Sequence, residues 1–170
     1  MLRSSSFLYH LAILVVSFVC GVAIFRFIDL DQAKNLIETI EPRLLQGGVG
    51  TVWEFLVLQL VTIGAIVLLA THAFLKYLVR IVVAIRITFF GFSSVFLLQE
   101  ISSIGLYATW WFPFQLVYSA LFLLLCEVMV PTRPRRKKTS NINWQPFIFL
   151  CFLFALLFVA EFVVISTFFK

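Results

Sequence analysis

A chain of 170 residues that is 62% hydrophobic, 17% aromatic and only 12% charged carries more apolar surface than a water-soluble domain of that size can hide. Its mean hydropathy of +1.08 also excludes a disordered chain. The formal net charge of +5 does not mark a nucleic-acid binder, because Arg133, Arg135, Arg136, Lys137 and Lys138 crowd into one loop, where they read as a topogenic patch facing lipid headgroups. The composition is that of one integral membrane domain, 1–170, with the lipid bilayer as its solvent. Cys20, Cys126 and Cys151 are odd in number and lie in apolar runs, so they suit neither a disulfide framework nor a metal site and read as small buried hydrophobes.

In chain order, residues 7–25 carry no charge except that of a protonated His10, and about 20 apolar residues suffice to cross the hydrocarbon core. A cleaved signal peptide is the alternative; the run is long for one, and no A-x-A site follows. Ser17 and Gly21 form a small-xxx-small pair that can admit a neighbouring helix, and homo-oligomerisation is left open. The composition then turns acidic. Over residues 29–41, Ala33, Leu36, Ile37 and Ile40 share one helical face, while Asp31, Asn35 and Glu38 lie opposite. Asp29 with Gln32 offers a capping box, and Pro42, Gly47 and Gly48 end the helix. Such an amphipathic helix either packs on its own bundle or in the headgroups, or presents a docking face through Asp31 and Glu38.

Residues 51–98 form an apolar stretch too long for one crossing, divided by Lys76 and Arg80 into spans 52–75 and 81–98 with Trp53 and Tyr77 as interface anchors. The short connection predicts an antiparallel hairpin. Arg86 lies about one and a half turns inside the second of these spans, where it either snorkels toward Lys76 and Arg80 or binds a substrate. Residues 99–112, with Glu100, Tyr107, Trp110 and Trp111, suit a short helix along the membrane surface. Pro113 fits the first turn of span 113–130, and Glu127 near its end is placed to pair with the basic loop 131–143. The last span, 146–169, holds Glu161 roughly 12 Å from its end, where a carboxylate must be protonated, paired or turned into the bundle.

Five spans with the basic loop inside put the N-terminus in the cytoplasm and the C-terminus outside. Arg3, Lys76, Arg80, Arg86 and the cluster then gather toward the inner face, and Arg26, Lys34, Arg43 and Lys170 fall outside. No HExxH, GxSxG, P-loop or CxxC motif is present, and His10 and His72 lie in different spans. Neither catalytic residues nor a cofactor or metal is expected, and an enzyme is not.

The order of segments resembles the stage II sporulation protein M family of bacterial membrane proteins. The resemblance runs through Gly21 to Ile40 (GVAIFRFIDLDQAKNLIETI), Arg86 to Glu100 (RITFFGFSSVFLLQE), Trp111 to Tyr118 (WFPFQLVY) and Glu161 in VAEFVV. It implies a multi-pass scaffold in a bacterial cell membrane that anchors peptidoglycan-degrading proteins at the septum during engulfment. On that view Asp31, Glu38, Trp110 and Trp111 offer outward contacts to the partner. The competing reading is a permease-like subunit or small carrier with Arg86 and Glu161 lining a polar path.

Overall fold

The computed structural model describes residues 4–45, 52–72, 74–101, 104–131 and 144–168. Among them the chain is an all-α bundle without strands: α1 (Ser4–Phe25), α2 (Leu30–Ile40), a 3-10 turn at Pro42–Leu44, α3 (Val52–Thr71), α4 (Leu78–Phe96), α5 (Phe112–Met129) and α6 (Trp144–Phe168). Four stretches, Phe7–Phe25, Leu75–Glu100, Ile104–Met129 and Trp144–Thr167, are long and apolar enough to cross a membrane, and the apolar part of α3, Phe55–Thr71, is shorter. Large apolar side chains stand exposed along the long helices, as at Val16, Val19, Ile85, Phe152 and Phe162. That outward apolar face suits lipid as the surrounding solvent.

Glycines set the tightest contact in the bundle. A methyl group on Gly21 of α1 would run into the Thr88 carbonyl and Phe92 amide of α4, and one on Gly91 would strike the Phe18 backbone. The two helices therefore meet backbone to backbone, with Phe18 and Phe90 edge to face at 5.0 Å beside the contact. The Ser17 and Gly21 pair is thus used within the chain.

The region between α4 and α5 departs from expectation. Instead of a separate surface helix over 99–112, Leu97–Ile101 and Tyr107–Trp111 are wound as π-helical turns, and the second runs directly into α5. Pro113 supplies a reason. It cannot donate a hydrogen bond, and just ahead of it the Phe112 amide reaches the Tyr107 carbonyl five residues back, which widens the turn. The extra residue swings Trp110 and Trp111 inward, and both are buried.

Helix α2 packs on its own bundle. Ala33 and Ile37 are fully buried in a cluster with Phe92, Phe96, Trp110 and Ile165, whereas Asp31, Asn35 and Glu38 face outward. Asp29 does hold the N-cap position, but its side chain makes no capping hydrogen bond; the Asp29 carbonyl accepts the Ala33 amide at 2.9 Å. At the other end Pro42 disfavours helix at the preceding residue, and Glu41 takes φ −145° and ψ 68°. The chain turns there and drives Glu41, Arg43 and Leu44 into the bundle.

Candidate functional site: a buried charge cluster beneath α2

Glu161 of α6 is 1% exposed and accepts hydrogen bonds at both carboxylate oxygens. Oε1 receives Arg43 Nη1 at 3.2 Å and the Trp110 indole Nε1 at 3.0 Å, and Oε2 receives the Tyr118 hydroxyl at 2.9 Å. Arg43, 2% exposed, also donates from Nε to Glu41 Oε1 at 2.6 Å. Four parts of the chain thus converge: the turn after α2, the π-wound turn, α5 and α6.

An unpaired ion in this setting would cost several kcal/mol, so the pairing is what makes the burial tolerable. Arg43 contributes more than charge. Its guanidinium lies 3.7 Å from the Phe55 ring centroid and 5.4 Å from that of Trp110, so the planar cation is held against aromatic faces as well as between carboxylates. Arg43 Nη2 and Glu41 Oε2 have no hydrogen-bond partner among the described residues. For Nη2 the Phe55 face offers partial compensation.

Arg86 is half-buried on α4. Where snorkelling was anticipated toward Lys76 and Arg80, its electrostatic neighbours are Glu41, Arg43, Glu161 and Tyr118. It makes no direct ion pair among the described residues. Two arginines and two glutamates thereby form a formally balanced group. Arg86 and Glu161 are within electrostatic reach of each other, and it is Arg43 that binds the carboxylate directly. Among the described residues, clefts of about 400 to 430 Å³ open beside His10, beside Arg80 and beside Gln59, and neither Arg86 nor Glu161 lines these.

Other anticipated positions fall differently. Trp110 and Trp111 are part of the interior instead of an outward shelf; Trp110 holds Glu161. Asp31 and Glu38 are exposed on α2. Glu127 lies 3.5 Å from His10 Nε2, and the basic residues it is expected to meet lie outside the described residues. Arg133, Arg135, Arg136, Lys137 and Lys138 lie outside the described residues. Among those described, no group of His, Cys, Asp or Glu could hold a metal ion, and Cys20 is exposed on α1 in contrast to buried Cys126.

Arg43, Glu41 and Tyr118 were missed from sequence. A signal existed: a deep carboxylate requires a cation on its own side of the membrane, and Arg43 stands among the few available, next to the apolar pair Leu44 and Leu45. Comparison of the chain with models of known families, with curated proteins and with solved structures finds no match.

Proposed function

We propose that the chain is a non-enzymatic membrane scaffold that holds an extracytoplasmic partner through the exposed acidic face of α2. The observation that carries this reading is the division of labour around α2. One face is anchored through Ala33, Ile37 and the Arg43 to Glu161 pair, while Asp31 and Glu38 are left to solvent. A helix anchored in this way can transmit a pull on its outer face into the bundle. It does not hinge freely on a loop.

The fuller version of the proposal has five crossings in a bacterial cell membrane, the N-terminus and basic loop inside, and α2 outside. The similarity to the stage II sporulation protein M family adds the partner class, peptidoglycan-degrading proteins recruited to the septal membrane during engulfment. A scaffold is favoured over a permease-like subunit because Arg43, Trp110 and Tyr118 occupy the carboxylate that a carrier would need to present.

The test is co-purification from native membranes. The double substitution Asp31→Lys and Glu38→Lys should release the partner, and it should change bundle stability by no more than about 1 kcal/mol because both sites are exposed. Undiminished co-purification with this variant would sink the docking face.

A further inference from the structure

Among the described residues outside the charge group, Trp111 Nε1 and Gln115 Nε2 are buried without a hydrogen-bond partner, and Gln59 is left without one at both of its polar atoms. Gln59, in the first half of α3, is 6% exposed, and neither its Oε1 nor its Nε2 has a hydrogen-bond partner among the described residues. A carboxamide withdrawn from water and left unpaired costs free energy that an apolar residue of the same size would not. Gln59 also lines a cleft of about 420 Å³ between α3 and α6, with Tyr118 of α5 beside it and Leu60, Ile63, Cys151 and Ala155 along its walls. Leu60 and Val159 at the rim are more than half exposed, so the opening faces the same surroundings as the lipid-facing side chains.

The chemistry of the lining narrows the occupant. No lysine, arginine, aspartate or glutamate lines the cleft, so a charged end group would find no counter-ion. Tyr118 already donates its hydroxyl proton to Glu161. What is unmet is one acceptor and the donors of Gln59, which a group that both donates and accepts would satisfy. Volume restricts the rest. The space equals about fourteen times the ~30 Å³ that a water occupies in the liquid, and a methylene is of comparable size, which suits one hydrocarbon chain and not two. Next to Gln59, Phe55 and Phe158 stack at 6.1 Å and bridge α3 and α6, leaving little room for a phospholipid headgroup. A second copy of the chain is disfavoured as well, since a helix is too broad to reach a side chain so deeply placed.

We propose that the cleft between α3 and α6 binds a single-chain lipid whose small uncharged end group, a hydroxyl or primary amide, hydrogen-bonds the carboxamide of Gln59 as that side chain rotates from its closed position into the cleft. The site is independent of the acidic face of α2.

The experiment uses the full chain in phosphatidylcholine nanodiscs and hexadecan-1-ol bearing a diazirine near its tail. Photolabelling of the α6 segment around Cys151 and Ala155 should saturate, and unlabelled hexadecan-1-ol should compete where hexadecane does not. Gln59→Leu should weaken binding about tenfold, the effect of one hydrogen bond in an apolar setting. Ala155→Phe, which fills the cleft and leaves Gln59 in place, should abolish labelling. Equal competition by hexadecane, or labelling that ignores both substitutions, would mean ordinary bilayer lipid in a groove and would overturn the proposal. So would crosslinking of two chains across the cleft with exclusion of the probe. Should Gln59→Leu fail to fold, as judged by tryptophan fluorescence, the hexadecane comparison and Ala155→Phe decide the matter alone.

Discussion

Toward each end of the bundle a basic side chain meets a glutamate, and the two contacts are built differently. Beneath α2, Arg43 and Glu161 are almost wholly buried, meet at 3.2 Å and share further partners in Glu41, Trp110 and Tyr118. Toward the start of α1, His10 and Glu127 meet at 3.5 Å with side chains 16% and 33% exposed, and nearby Arg80 reaches the Val130 carbonyl at 3.5 Å and the Tyr9 ring at 5.4 Å. The first arrangement joins segments far apart in sequence and fixes α2 to the bundle. The second is less buried and ties the start of α1 to the end of α5. Burial decides which of the two contacts is structural.

Breaking the buried pair from one side should give the largest effect. Arg43→Ala leaves Glu161 buried without its cation and should cost about 3 to 5 kcal/mol, read as denaturation in mixed micelles. A loss below about 1 kcal/mol would mean that water already reaches the carboxylate. Gly91→Leu tests the close helix contact near the same end; forcing α1 and α4 apart should cost at least the 1 to 3 kcal/mol typical of overpacking, and a neutral result would refute the backbone contact. Tyr118→Phe removes a single donor to a charged acceptor. Its cost should be roughly 1.5 to 3 kcal/mol, with α2 still docked as judged by protection of the 30–40 backbone from hydrogen exchange. Glu127→Gln is the control at the opposite end, with an expected loss of under about 1 kcal/mol. If it proved as costly as Arg43→Ala, the contrast between the two ends would collapse.

Much of this architecture could be read from residue order. Apolar runs located the long helices, the face of Ala33, Leu36, Ile37 and Ile40 contains the buried Ala33 and Ile37 although Leu36 stays exposed, and the short link around Lys76 joins α3 to α4. Local chemistry misled where a backbone irregularity intervened. Aromatics at 107–111 carry the composition of an interface, and only the π-wound turn before Pro113 turns Trp110 and Trp111 inward. Arg86 was placed correctly on its helix, but its direction depends on which neighbours face it, and those come from elsewhere in the chain.

The sequence alone determined that the chain must live in an apolar solvent and fold as helices, because hydropathy and helical period are local properties that any arrangement has to satisfy. It also determined that Glu161 would need a partner, since a buried carboxylate has a cost whatever surrounds it. Which partner it takes was decided by the tertiary structure. Arg43 and Glu161 are 118 positions apart, and no local pattern encodes a meeting that depends on how α2, α5 and α6 pack.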